Sequence, residues 1–510
     1  MTFVIGLDLG TTSCKALALD VEGAVLAQAS AGYELRTGVL GQAVQEPEKI
    51  WTVVRGVLQE LGEQLDLQMA AGLCLGGAMH SVLPVAADGR PLAPAMTWAD
   101  SRAAPQAAAI RALADEQSLY ERTGCPVQSP YHPARLRWWR MNGAPPETAL
   151  YVGLKEWALH RLSGVWAYDW TMASTSGLLD IRRREWDEEA LGLGHVTASE
   201  LPPLVAPHEQ VGVVTAAAAR ETGLPQGLPV IAGSHDGGLA NLGVGADEPG
   251  EVAITVGTSG AIRMVVDVPW LDRQARTWCY LIADGWWLAG GAINNGGLAA
   301  QWVREQFYRE AGDHWRERME RLVAEAASVP PGAEGVLMLP YLAGERTPHW
   351  DAQGRATLHG LDLHHSRAHV ARAVLEGVAF CLRDVWLVLE EGLQLPGERR
   401  PLRISGGVTA SETWVQIIAD VLGRPLLTIK EADASTIGAA LLGQYGLGLI
   451  DDLRLQARDR SLARYGEGAE GNSNGIESSG RLYEPAPERH ALYAARHELF
   501  QALYRMLEGA

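Results

Sequence analysis

One short segment occurs twice in this chain, 247 residues apart, and that recurrence restricts the architectures open to it. The first copy runs Val4-Ile5-Gly6-Leu7-Asp8-Leu9, then Gly10-Thr11-Thr12-Ser13, then Cys14-Lys15-Ala16-Leu17-Ala18-Leu19. Two apolar runs around a turn of Gly, Thr and Ser predict a β-hairpin rather than a strand feeding a helix. The second copy, within Glu251–Asp267, places Gly257-Thr258-Ser259-Gly260 between Val252–Val256 and Ala261–Val266. An offset of that length exceeds any solenoid period and implies duplicated domains, about 1–247 and 248–510. A chain of 510 residues is long enough to build both cores.

The hairpin turns suit an oxyanion. Backbone N–H groups and hydroxyls are available as donors, and Gly10 lets a bulky anion approach the main chain. Asp8, just before the turn, is placed to hold a hydrated Mg2+ beside that anion. The second copy carries Thr255 at the matching position, so this carboxylate exists once. Two such hairpins facing each other could grip a polyphosphate from both sides. The spacing fits neither the Walker loop nor the dinucleotide fingerprint. Lys15 is a further candidate phosphate ligand, on the outgoing strand.

Charge narrows the partners. A net charge of −18 argues against a nucleic-acid surface and gives no long-range attraction for anions, so ATP or a sugar acid would need local donors. Five scattered cysteines without a CxxC pair fit a reducing cytoplasm and no structural zinc. No run approaches the length of a membrane span, and Met1 leads into a strand without a signal-like core; a cytoplasmic protein is expected.

Along the chain, helices are expected at about 47–65, 105–123 and 487–506, the last turning Tyr493, Leu499, Phe500 and Leu503 inward. Strands at 73–75, 82–86 and 229–232 end on polar loops. Those loops carry Met79 and His80, then Asp100 and Arg102, then Gly233-Ser234-His235-Asp236. Strand ends are where α/β proteins gather ligand contacts. Residues 151–162 read as a strand edge running into a helix. Leu402–Ser405 reads as a strand into Gly406-Gly407, with Ser411 capping a helix that buries Val415, Ile418, Ala419 and Leu422 before Gly423 stops it. Residues 464–480, rich in Gly, Ser, Asn and Glu, read as a mobile surface loop.

Taken together, these residues resemble the FGGY carbohydrate kinases over nearly the whole chain. The segment Ala356–Leu361 through Ala373-Val374-Leu375-Glu376 fits one family signature position by position. The other signature is imperfect: Arg135-Leu136-Arg137-Trp138 stands where Lys-apolar-x-Trp is usual, with His132 for a Pro, which reads as drift in a structural helix. The resemblance implies two RNase H-like α/β domains of the actin/heat-shock ATPase superfamily, with the active site in the interdomain cleft. It implies an ATP- and Mg2+-dependent phosphotransferase with Asp236 as general base and Asp8 at the metal. Phosphate contacts would come from Gly10, Thr11, Thr12 and Ser13 and from Gly257, Thr258 and Ser259; nucleotide contacts from Gly297, Gln301, Gly406, Gly407 and Ser411, aided by helix N-termini. Met79, His80, Asp100, Arg102 and Asp236 would meet the acceptor.

Within the family, Ala78-Met79-His80-Ser81, Trp98-Ala99-Asp100-Ser101-Arg102, Gly257–Arg263 and Asn294-Asn295-Gly296-Gly297 look like gluconate kinases. Ketose kinases usually carry Gln for Ala78 and Asn for Gly237. Phosphorylation of gluconate at its terminal hydroxyl is therefore the expected reaction. A xylulose or polyol kinase, or a non-catalytic sugar-binding regulator or actin-like protein, is the alternative. Arg102, Lys155 and Arg346 are the candidate cations for a substrate carboxylate. ATP and a small sugar or sugar acid are the expected partners, with no nucleic acid and no membrane; a homodimer is one assembly the resemblance allows.

Overall fold

A computed structural model describes residues 2–38, 41–283, 285–309, 314–393, 400–429, 433–465 and 480–508. The contacts divide the chain into two compact units. Unit 1 comprises Met1–Pro249, Val265–Ala289 and Asp433–Ala463; unit 2 comprises Gly250–Met264, Gly290–Ala432 and Arg464–Ala510. Two segments from the second half of the sequence thus belong to unit 1.

Unit 1 is built on a six-stranded mixed sheet. Its strands are β1 (Phe3–Leu9), β2 (Ser13–Asp20), β3 (Val25–Gly32), β4 (Ala70–Gly77), β5 (Gln210–Val213) and β6 (Pro229–His235), in the order β5-β6-β4-β1-β2-β3. β1 and β2 form the expected antiparallel hairpin, with Asp8 opposite Lys15. β4 runs parallel to β1, and β6 parallel to β4. The helix Pro47–Gln64 buries Ile50, Trp51, Val54, Val57, Leu58 and Leu61, the stripe its 3.6-residue periodicity predicts. The helix Ala434–Gly446 packs on the sheet so closely that a Cβ at Gly6 would lie 2.1 Å from the Thr436 carbonyl oxygen. Any side chain at Gly6 would push that helix away.

Unit 2 repeats the pattern. β7 (Val252–Val256) and β8 (Gly260–Val266) form the second hairpin, β9 (Leu402–Ser405) runs parallel to β7, and β10 (Leu426–Thr428) parallel to β9. An antiparallel edge, β11 (Leu482–Tyr483), follows. In unit 1, β6 is likewise followed by an antiparallel edge strand, β5. Each unit therefore has a hairpin, two parallel strands and an antiparallel edge, as two copies of one ancestral domain would.

Several local expectations change. Residues 105–123 form two helices, Ala104–Leu113 and Glu116–Thr123, because Asp115 caps the second by accepting from the Ser118 amide. The terminal helix Pro487–Glu508 buries Tyr493, Phe500 and Leu503, but Leu499 is 55% exposed, one position off the buried stripe. The expected loop at 464–480 lies almost entirely outside the described residues. Among the described residues no helix is long and apolar enough to cross a membrane.

Candidate active site

In unit 1 the first hairpin presents its turn in a defined state. The Gly10 amide donates to the Ser13 carbonyl, the Tyr33 amide to the Thr12 carbonyl, and the Tyr33 hydroxyl to the Gly10 carbonyl. Trp98 Nε1 donates to Thr11 Oγ1 at 3.0 Å, and Gln45 to the Thr11 carbonyl at 2.6 Å. The turn carbonyls and the Gly10 amide are thereby occupied. The Thr11 and Thr12 amides have no hydrogen-bond partner among the described residues. Lys15 forms an ion pair with Asp433 at 2.7 Å.

Asp8, at the end of β1, is 6% exposed. Ser435 Oγ donates to its Oδ2 at 2.6 Å, while its Oδ1 is buried with no hydrogen-bond partner among the described residues. Burial pushes the Asp8 carboxyl up, against which the Ser435 bond and Lys15 act. A buried carboxylate oxygen left over is costly unless a cation or donor meets it, so the residues present suit a hydrated divalent cation. In unit 2 the equivalent Thr255 accepts from Arg263 at 2.6 Å and lies 3.3 Å from Ser405 Oγ. The residue matching Asp8 is thus a hydroxyl bonded by a guanidinium, which offers a metal no carboxylate.

Asp236 opens the helix Asp236–Gly243 at the end of β6. It does not supply the helix cap: the N-cap is His235, whose Nδ1 accepts from the Gly238 amide at 3.0 Å while Nε2 donates to the Leu281 carbonyl at 2.9 Å. Asp236 Oδ1 accepts from its neighbour's amide, Gly237, at 2.8 Å. Burial, and after it the charges of Cys14, Asp8 and Asp236, hold the Tyr33 phenol far above its usual value. Asp8 and Asp236 thus act on one phenol.

The residues expected to meet the acceptor include His80, which lies in an aromatic cluster. His80 adopts φ +65°, and its ring lies edge-on to Tyr131 (5.2 Å) and Tyr280 (6.2 Å), whose hydroxyls are 2.8 Å apart. Met79 is half-buried beside it. Asp100 is fully buried and accepts from the Ala43 amide at 3.0 Å. Arg102 binds it through Nε at 3.0 Å and Nη2 at 2.7 Å, with its guanidinium over the Trp138 ring. Arg102 is therefore a paired cation, and Asp100 meets Arg102 rather than standing open.

One expectation about cations is corrected. Lys155 is only 2% exposed and tied to Asp169 at 2.8 Å, so it does not face an acceptor carboxylate. Arg135 lies in a helix, His132–Met141, as expected; it is fully buried there and donates to the carbonyls of His80, Thr97, Asp100 and Ser129. One side chain ties the His80 loop to the Thr97–Asp100 loop. Sequence reasoning missed this because a guanidinium bonding four carbonyls from three loops leaves no local pattern. Asp433, Ser435, Tyr33 and Tyr280 were missed for the same reason.

In unit 2 the second turn is clamped by the helix Gly297–Phe307. The Gly297 amide donates to the Gly257 carbonyl at 2.6 Å, and the Gly296 and Leu298 amides to the Thr258 carbonyl at 3.1 and 3.0 Å. The first amides of this helix thus hold the hairpin instead of awaiting phosphate, contrary to the expectation. Gln301 is exposed on the same helix. Gly406 has φ +93° and lies where a Cβ would come 2.6 Å from the Val256 carbonyl oxygen. Gly407 opens a short 3₁₀ turn, and Ser411 Oγ caps the next helix by accepting from the Trp414 amide at 3.2 Å. Arg346 donates to the Ile293 carbonyl at 3.2 Å.

Comparison with known proteins agrees with this arrangement. Residues 3–243 match the N-terminal domain of the FGGY family of carbohydrate kinases, and residues 252–447 its C-terminal domain. The chain is 34% identical over 458 residues to a gluconokinase of Bacillus subtilis, covering 88% of each protein. It is 27% identical to a xylulose kinase of Lactococcus lactis, covering 99% of this chain and 97% of that one. The crystal structure of a gluconate kinase from Lactobacillus acidophilus matches with a TM-score of 0.87 at 29% identity, covering 99% of this chain and 98% of the other. With both family domains matched in order over most of its length, the chain belongs to the FGGY family of carbohydrate kinases.

Proposed function

We propose that this kinase transfers the γ-phosphoryl group of ATP to the terminal hydroxyl of gluconate, in halves organised as residues 1–247 and 248–510. The acceptor assignment rests most on the 34% identity to a gluconokinase, against 27% to a xylulose kinase. Local charge supports it: at Asp100 two guanidinium groups meet one buried carboxylate, Arg102 bonding the carboxylate and Arg135 the main-chain carbonyl of the same residue. An anionic acceptor is less costly to desolvate there than beside an unopposed carboxylate.

Asp236 orients the acceptor hydroxyl and takes its proton as the new bond to phosphorus forms. Asp8, oriented by Ser435, would hold a hydrated Mg2+, which neutralises charge on the polyphosphate. Thr11, Thr12 and Ser13 of one hairpin and Thr258 and Ser259 of the other supply hydrogen bonds to phosphate oxygens. Met79 and His80 contact the sugar chain, while Gln301, Gly406, Gly407 and Ser411 meet the nucleoside. The five cysteines are all buried free thiols, which accords with a cytoplasmic location.

A coupled assay of purified protein with ATP against gluconate, xylulose and glycerol tests the assignment. Gluconate is expected to give the highest kcat/KM; a higher value for xylulose would defeat it.

A further inference from the structure

β6 does not reach Asp236 as a regular strand. Its register with β4 runs Ile231 opposite Cys74 and then Ser234 opposite Gly76, so Ala232 and Gly233 together oppose Leu75. This is a β-bulge, which turns the strand and redirects the side chains that follow it. Gly233 has φ +84°, and a Cβ there would lie 1.6 Å from the Leu75 carbonyl oxygen, so only glycine fits. The Ala232 and Gly233 amides bond to the carbonyls of Glu209 and Pro207. The Ala232 carbonyl accepts from Lys155 Nζ at 2.8 Å.

Lys155 lies in the first turn of the helix Leu154–Ser163, with its stem packed against Gly77 at the end of β4. Its ammonium group is 2.8 Å from Asp169 Oδ2 and 3.4 Å from Glu156 Oε1, all three residues being buried. Asp169 Oδ1 caps the Met172 amide at 2.9 Å and accepts from the Thr171 hydroxyl, which in turn lies 2.6 Å from Ser234 Oγ. The network therefore grips β6 at Ala232 and at Ser234, four and two residues before Asp236. A buried ion pair is a poor way to gain stability, because desolvation offsets the attraction. Its geometry does what an apolar filler cannot: it satisfies the carbonyl that the bulge takes out of the ladder.

We infer that Lys155 is a positioning residue, whose ammonium group fixes the bulge in β6 and thereby aims Asp236 at the acceptor hydroxyl. The inference rests on the assignment of Asp236 as the base. A misplacement of about 1 Å at a reacting group costs on the order of 10²-fold. Lys155→Met keeps the stem against Gly77 and removes the donor. Pairing it with Asp169→Asn neutralises the nearer of its two buried carboxylate partners, the other being Glu156 at 3.4 Å, and Asp169→Asn alone retains the cap on Met172.

The test compares wild type, Asp236→Asn, Lys155→Met and Lys155→Met/Asp169→Asn, with ATP and gluconate as substrates. The double variant is expected to lose about 10–100-fold in kcat, with KM for both substrates changed less than about 3-fold. Amide hydrogen exchange across residues 229–240 is expected to rise in the same variant, a readout that needs no activity. A double variant with wild-type kcat and exchange overturns the inference; so does a loss carried by KM alone. If Asp236→Asn itself keeps near-full turnover, the base assignment has failed, and the exchange result still decides whether Lys155 holds the bulge.

Discussion

Glu345 offers a quantitative check on how unit 2 holds its hairpin. It is 3% exposed, and its Oε1 accepts from the Asn294 amide at 2.7 Å and the Arg346 amide at 2.8 Å. Asn295 braces the same loops, donating to the Gly344 carbonyl and accepting from the Ala343 amide. Burial raises the carboxyl from 4.5 to about 7, more than those two amide bonds lower it. As pH climbs from 4.5 to about 7, the unfolded chain releases this proton and the folded chain retains it. The stability contribution of Glu345 is thus intact below pH 4.5, is lost as pH approaches about 7, and is level above. The loss amounts to about 3 kcal/mol. Glu345→Gln keeps a carbonyl for the two amides and cannot ionise. Its melting temperature relative to wild type should therefore rise by roughly 6–12 °C between pH 4.5 and pH 8, for a unit of this size. Differential scanning fluorimetry across that range measures it. Parallel curves for the two proteins would show that Glu345 ionises freely in the folded state and refute the reasoning.

Other outcomes follow from the same geometry. Asp236→Asn should cost about 10²–10⁴-fold in kcat with nucleotide binding nearly unchanged, read by steady-state kinetics beside a binding titration; near-full turnover would remove Asp236 from the mechanism. Asp8→Ala should need more Mg2+ to reach its best rate, because Arg263 at Thr255 leaves unit 2 no substitute carboxylate; a rate that ignores added Mg2+ counts against metal holding. Thr258→Ala should cost roughly 1.5–3 kcal/mol in kcat/KM for ATP if its hydroxyl meets a phosphate oxygen. Arg102→Ala strands the buried Asp100 carboxylate, so it should destabilise the protein by about 3 kcal/mol, and Arg102→Ala/Asp100→Asn should recover most of that in a thermal melt.

The sequence was legible wherever a contact is local or repeated. Alternation of apolar residues around Gly-Thr turns sufficed for both hairpins, and their recurrence for the duplicated architecture. The strand end that carries Asp236 could be picked out because an apolar run meets a glycine-rich junction, its role as base coming only from the family resemblance, and Ser411 because a cap acts within three residues of itself. The helix break at Asp115 was equally local and was missed because its flanks keep helical periodicity. What tertiary structure alone decided concerns partners far apart in the chain. Ser435 meets Asp8 across 427 positions, and Lys155 meets Ala232 across 77. A cation's partner cannot be read from its neighbours, so Arg102, Lys155 and Arg346 looked interchangeable as sequence. Folding separates them: one is paired with Asp100, one is buried behind Asp236, and one donates to the Ile293 carbonyl. The physical reason is that a buried charge must be matched from every side, and the packing that brings those sides together is nonlocal.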